Sequence, residues 1–166
     1  GYMGLRIEDG RAHITGKGLD ARGADSAEIY ARAVEVNAGL WANHAKIVTG
    51  QNSIAKDGSI SPITSETTST APQYAIDLAE IGGMYANRIT MVGTEKGLGV
   101  NLTGQLSATQ AVSLDVNGNL KTTGSLYSDR DLSVHADRIE NTNLIYGGQN
   151  TSIRAKELTN NSGGRI

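Results

Sequence analysis

From Gln105 to the end of the chain, apolar residues return to equivalent places every 19 or 20 residues. Leu106, Leu126 and Ile145 form one row, Leu114, Val134 and Ile153 a second, Val116, Ala136 and Ala155 a third, and Leu120, Ile139 and Leu158 a fourth. Inside each repeat the apolar residues alternate, as in Val112-x-Leu114-x-Val116 and Leu132-x-Val134-x-Ala136, which is the period-two signature of a strand with one buried face. Asn117-Gly118, Asn141 and Asn160-Asn161 fall between these runs, where tight turns need such residues. A unit of about 20 residues with two or three short strands cannot bury its apolar face alone and must stack on copies of itself, as one coil of a parallel β-solenoid does.

An echo of the same kind lies upstream. "LWANHAKIV" (40–48) aligns with "MYANRITMV" (84–92), aromatic on aromatic and apolar on apolar. Between them "KDGSISPITSETTSTAPQ" (56–73) is rich in Ser and Thr and holds both prolines, so it reads as an insertion looped out of the stack, and as the expected place for any contact with another surface. One segment resists the pattern. Ile29, Ala33, Val36 and Leu40 fall at i, i+4, i+7 and i+11 behind Asp25 or Ser26 as N-cap, so residues 27–37 taken alone predict a helix, although Ile29-x-Ala31-x-Ala33 also alternates.

Composition narrows the possibilities. Aromatic residues make up 4% of the 166 residues, Phe is absent and Gly numbers 21, so the core must be built from Leu, Ile, Val and Ala in thin, regular layers. A net charge of −2 argues against a broad nucleic-acid footprint or an anionic-membrane surface. The absence of Cys removes disulfides, thiolate metal sites and cysteine nucleophiles. No apolar run reaches spanning length and the first residues show no signal-peptide pattern. A chain opening on "GYMG" is expected to be a fragment of something longer.

The motifs that suggest chemistry are weak. In "GGMYANRITMVGTEKGLGV" (82–100) Lys96 precedes Gly97 and no hydroxyl follows, whereas a phosphate loop needs Gly-Lys-Ser/Thr. Gly16-Lys17-Gly18-Leu19-Asp20-Ala21 is a degenerate dinucleotide fingerprint, but Glu35 falls inside the helix that would bind the pyrophosphate when it should end the next strand. His13, His44 and His135 are scattered; Asp131 and His135 would face one side of a strand about 13 Å apart at ~3.3 Å per residue, too far for a dyad. Asp115-Val116-Asn117-Gly118-Asn119 places Gly too early for a calcium loop and reads as a turn. Asn101, Asn150 and Asn160 open glycosylation sequons. No catalytic, cofactor-binding or metal-ligating residue is assigned.

Three blocks, "GKGLDARGAD", "IYARAVEVNAGLWAN" and "IGGMYANRITMVGTEKGLGV", resemble conserved blocks of the large exoproteins of bacterial two-partner secretion, the filamentous haemagglutinin and contact-dependent growth-inhibition exoprotein family. The resemblance covers roughly residues 11–104, and the units after it are similar to that family's haemagglutinin repeats. It implies an all-β, right-handed parallel β-helix with one looped-out insertion, which overrides the helix read for residues 27–37. It divides the chain into 1–104, like the later part of the secretion domain with insertion 56–73, and 105–166, haemagglutinin-type repeats. It further implies a rod segment of a secreted or surface-displayed adhesion or growth-inhibition protein, without catalysis or cofactor of its own. That protein is exported by an outer-membrane two-partner transporter and directed at an unidentified host or neighbouring-cell receptor, with no nucleic-acid partner and no membrane insertion. The family's Asn-Pro export motifs are absent here, so the segment is not expected to direct its own export, and "ARGAD" (21–25) is not an Arg-Gly-Asp motif because Ala24 intervenes. On this reading Met84, Ala86, Ile89 and Met91 line a coil, "GTEKGLG" is the turn out of it and Lys96 is solvated. The alternative from another class is a polysaccharide lyase or hydrolase on the same fold, against which stands the lack of clustered Asp, Arg or Lys.

Overall fold

The computed structural model describes residues 5–63 and 70–166, and among these it contains strands and turns but no helix. The strands stack into a parallel β-helix with three walls. The first wall holds β2 (Arg11–Ile14), β5 (Ala33–Val36), β10 (Ile76–Leu78), β12 (Val100–Leu102), β14 (Leu120–Thr122), β17 (Arg138–Asn141) and β20 (Glu157–Asn160), in that spatial order. Its seven parallel strands are the successive coils, and a stack of that height rises about 35 Å at ~4.8 Å per coil. The second wall is β3 (Leu19–Ala21), β6 (Gly39–Ala42), the first halves of β11 (Gly83–Gly93) and β13 (Gln105–Val116), β15 (Ser125–Ser128) and β18 (Leu144–Gly147). The third is β4 (Ala27–Ala31), β7 (His44–Thr49), the second halves of β11 and β13, β16 (Asp131–His135) and β19 (Asn150–Arg154).

Three of the four rows expected from the repeat are registers observed, while the row Val116, Ala136 and Ala155 falls at or past the strand ends, with Val116 and Ala136 buried and Ala155 exposed. Leu106 lies on Leu126 and Leu126 on Ile145; Leu114 lies on Val134 and Val134 on Ile153; Leu120 lies on Ile139 and Ile139 on Leu158. The upstream echo is equally literal, with Leu40 on Met84, Trp41 on Tyr85 and His44 through Val48 on Arg88 through Val92. Among the described residues, the inward ones form a core of Leu, Ile, Val, Ala and Met with no aromatic member. Burial fades in the last coil, where Ile153 is half-buried and Leu158 is 47% exposed, so these two row members do not share the full burial of Leu114 and Leu120.

The helical grammar of residues 27–37 loses to the stack. Those residues form β4 and β5, with Arg32 as the break between them. Their backbone amides bond across the molecule rather than along it: Arg32 N–H donates to Gly10 O at 2.6 Å and Val34 N–H to Ala75 O at 2.9 Å. Ile29, Val34 and Val36 are β-branched, and two period-two runs meeting at Ala31 and Ala33 bury as well as one helical stripe would, which lets tertiary pairing override a weak local preference.

The Ser/Thr-rich segment leaves the parallel stack, but it is not wholly unpaired. β9 (Ile60–Pro62) runs antiparallel to β8 (Asn52–Ile54), which runs antiparallel to β1 (Leu5–Ile7). Pro62, which lacks an N–H, ends the outermost strand of this small sheet, a position that tolerates proline. Residues 64–69 lie outside the described residues. At a corner between the first and second walls Gly82, Gly104 and Gly124 stack so closely that a Cβ on Gly104 would meet Gly82 O and one on Gly124 would meet Gly104 O.

Candidate functional site

Polar groups concentrate at three places. The first is buried. Arg32, 3% exposed, sends Nη2 to Glu95 Oε1 at 2.8 Å, Nε to Glu95 Oε2 at 3.1 Å and Nη1 to Asp9 Oδ1 at 3.4 Å. The hydrogen bonds to Glu95 hold the guanidinium above its ordinary pKa against the opposing effect of burial. Glu95 belongs to "GTEKGLG", which is indeed a turn: Gly97 takes φ +85, Lys96 beside it is exposed, and the carboxylate two residues from Gly97 closes the ion cluster. The segment that superficially resembled a phosphate loop is therefore a clip that ties the turn after β11 to the break between β4 and β5.

The second place is the outer surface of the first and third walls, where each histidine has a partner from another coil. His13 Nε2 lies 2.6 Å from Asn37 Nδ2 and 3.5 Å from Glu35. His44 Nε2 lies 3.1 Å from Thr90 Oγ1, and His135 Nδ1 lies 3.1 Å from Asp115 Oδ1. The carboxylate beside His135 is thus the one a coil away, while Asp131 accepts from Asn150 Nδ2 at 3.0 Å. The His135 and Asp115 side chains are 53% and 65% exposed, so the pair is a solvated cross-coil contact. Among the described residues no group of three or more His, Asp or Glu is arranged to hold a metal ion. A cleft of about 430 Å³ beside Tyr74 brings Lys121 and Arg138 together, but Glu140 and Glu157 line it too and Arg138 pairs with Glu157 at 3.4 Å. Asp115 and Asn117 sit at the end of β13 and the following turn, and Asn117 Nδ2 bonds to Thr94 O at 3.2 Å.

The sequon asparagines are likewise engaged. Asn101 Nδ2 donates to Asp77 at 3.0 Å, and Asn160 Nδ2 to Gly164 O at 3.0 Å while its Oδ1 accepts from Asn141 Nδ2 at 2.9 Å. Asn141 itself is an inward residue of β17, fully buried, and bonds also to Arg165 O at 2.9 Å.

The third place is the outer face of the second wall. Its outward row runs Asp20, Trp41, Tyr85, Ser107, Tyr127, Tyr146, one residue per coil. Trp41 and Tyr85 stack with centroids 6.0 Å apart, and Tyr127 and Tyr146 with centroids 5.0 Å apart. Gly39 and Gly83 make room for the first pair, because the rings of Trp41 and Tyr85 occupy the space their Cβ atoms would need. Tyr127 Oη donates to Asp129 at 2.7 Å, which raises the phenol's pKa. Sequence reasoning caught the first pair through the aligned blocks but missed the second, although 127 to 146 repeats the 19-residue step of Leu126 to Ile145. Nothing in the sequence pointed to Arg32 and Glu95, 63 residues apart.

Stacked coils with an aliphatic interior and paired polar rows outside define a parallel β-solenoid module. Comparison gives the lineage. The model of the TPS secretion domain matches residues 2–122, and the chain belongs to that family, which places it among secreted, surface-displayed bacterial exoproteins. "Toxin CdiA" of Yersinia pestis is 39% identical over 152 residues, 89% of this chain and 5% of that protein. "16S rRNA endonuclease CdiA" of Enterobacter cloacae is 34% identical over 151 residues, 87% of this chain and 4% of that protein. The chain thus spans one-twentieth or less of the length of these relatives. The crystal structure of the filamentous hemagglutinin secretion domain superposes with a TM-score of 0.60 at 24% identity, covering 94% of this chain and 51% of that one, and agrees in fold.

Proposed function

We propose that this chain is a rod-forming segment of a large two-partner exoprotein that serves adhesion or contact-dependent inhibition, with no catalysis of its own. The observation that carries this reading is the unbroken register of seven parallel strands within a chain whose family is the TPS secretion domain. Such a stack spends its sequence on repetition, which suits a spacer that holds other activities away from the cell. Export through a dedicated outer-membrane transporter is the property of the parent chain to which this segment contributes, and residues 105–166 are the first repeats of the filament. The nuclease and toxin names of the relatives attach to proteins about twenty times as long as the matched segment or longer, so the activities they name are not carried over to this segment. The polysaccharide-enzyme reading has little support, because Lys121 and Arg138 are matched by Glu140 and Glu157 in their own cleft.

The test removes one coil. Gln105 pairs with Ser125, so an in-frame deletion of residues 105–124 from the parent exoprotein should join Gly104 to Ser125 in register and leave export and surface display intact. Leu114→Asp, which breaks the stack without shortening the chain, should abolish display. Release of unsaturated or reducing uronides from polygalacturonate by the purified chain, or equal display of both variants, would defeat the reading.

A further inference from the structure

We infer that the outward face of the second wall is a docking surface for a neutral polysaccharide, which lies along the rod axis on the column Trp41, Tyr85, Tyr127 and Tyr146. The chain has one Trp, six Tyr and no Phe, and four of these seven rings stand in this single row, while the core has none. Aromatic side chains supply more apolar area than any others, so a chain that needed them for stability would bury them. Here Trp41, Tyr85 and Tyr127 are half-buried and Tyr146 is 43% exposed. Ring on ring stacking accounts for the pairing within each couple, but not for the concentration of rings on one outer face.

The surroundings select the ligand class. The strand segments that present the rings, Gly-Met-Tyr-Ala (83–86), Gln-Leu-Ser-Ala (105–108), Ser-Leu-Tyr-Ser (125–128) and Leu-Ile-Tyr-Gly (144–147), contain no charged residue. Their main aliphatic side chains, Met84, Leu106, Leu126 and Ile145, are inward and fully buried. A protein partner would want an apolar patch around its aromatic anchors, and a sulfated or uronic chain would want Arg or Lys. What this face offers is rings flanked by hydroxyls, amides and carboxylates: Ser107, Ser125 and Gln105, the last 3.4 Å from Tyr85 Oη, with Asp129 accepting from Tyr127 Oη at 2.7 Å and Asp20, ion-paired with Arg22, next to Trp41 at the head of the column. The acidic groups repel an anionic chain and accept from sugar hydroxyls. Such a face is the complement of a pyranose, which has apolar C–H faces and a rim of hydroxyls. Ser107 interrupts the column, and the two ring pairs lean opposite ways, Tyr85 towards Gln105 and Tyr127 towards Asp129. The rings therefore offer two platforms whose nearest members, Tyr85 and Tyr127, are two coil rises, ~10 Å, apart along the axis and whose centres are three, ~14 Å, apart, which favours an extended chain over a single sugar. This inference is independent of the adhesion or inhibition role.

Trp41 is the sole tryptophan, so its emission reports on the column directly. The 166-residue chain would be titrated with six-unit oligomers of glucose, mannose, galactose and N-acetylglucosamine, with heparin and oligogalacturonate as charged comparators. A saturable change in Trp41 emission with at least one neutral oligomer is expected. Binding measured by calorimetry should weaken at least tenfold in Tyr85→Ala and Tyr127→Ala and stay within twofold in Tyr74→Ala, whose ring lies outside the column. Should an alanine variant unfold, Ser107→Arg keeps every ring and core residue and should block the chain sterically. No binding by any neutral oligomer at millimolar concentration, binding by the charged comparators alone, or binding indifferent to Tyr85, Tyr127 and Ser107 would each overturn the proposal.

Discussion

The coils from Gln105 to Asn141 and the part of the molecule before Gly83 solve one stacking problem by different means. In the later coils each row lies on its copy 19 or 20 residues on, with Leu106 on Leu126 and Leu120 on Ile139, and the side chains that decide stability are interchangeable aliphatics. Before Gly83 the period is broken by the segment from Ala55 to Ala75, an antiparallel three-stranded sheet is appended, and the coils are tied by a particular ion cluster, Arg32 with Glu95 and Asp9. Repetition tolerates exchange of one rung for another. An irregular junction has no neighbouring copy to lean on and depends on named polar partners.

The largest effect should come from breaking the regular side at its core. Leu114 is 1% exposed on a ladder with Val134, so Leu114→Asp buries an unpaired charge and should unfold a domain of ordinary stability, seen as loss of the β spectrum at 25 °C. Ile153→Asp in the same row should cost much less, because the last coil is half-open; equal losses at both positions would contradict the fading burial described above.

Next comes the irregular side. Arg32→Met leaves Glu95 and Asp9 without their cation and should cost about 2–3 kcal/mol in urea unfolding, less than for a fully buried pair because both carboxylates reach solvent. The double variant Arg32→Met with Glu95→Leu should recover part of that loss. If Arg32→Met costs nothing, the junction does not depend on the clip and the contrast between the two regions collapses.

Asn141 sharpens the comparison from within the regular side, where the inward row Leu102, Thr122, Asn141, Asn160 turns from aliphatic to polar. Asn141→Ala removes the group that bonds Asn160 and Arg165 O and should cost about 1–3 kcal/mol. On the outer surface Lys121→Asp or Arg130→Asp, both exposed, should shift stability by about 0.5 kcal/mol or less. A larger shift would mean that the inward and outward faces are misassigned.

The smallest effect is a titration. Asp20 is drawn from 3.8 to about 2, first by its hydrogen bonds with the Arg22 side chain and then by the Arg22 backbone amide. A lowered carboxylate pKa contributes stability that is present above pH 3.8 and lost as pH falls towards 2. Carboxyl chemical shifts should show Asp20 titrating near 2, and Arg22→Ala should move it up towards 3.8; a midpoint unchanged by Arg22→Ala would refute the assignment.

The architecture was legible in the chain because a solenoid writes its contacts at a fixed step. When each coil touches only its neighbours, register in space is period in sequence, and the rows through Leu106, Leu114 and Leu120 could be named before any strand was placed. The same logic aligned Trp41 with Tyr85 through the matching blocks, while their outward direction and stacking came from the structure. Tertiary structure decided what has no period. It made strands of residues 27–36, because amides such as Val34 N–H find carbonyls in the next coil that a local helix does not offer. It turned Ile60–Pro62 into an edge strand, and gave His135 the carboxylate of Asp115, a coil away, where spacing along one strand pointed to Asp131. It also brought Glu95 to Arg32 across 63 residues, a single contact that repeats nowhere and so leaves no pattern to read, since only folding of the intervening chain sets that distance.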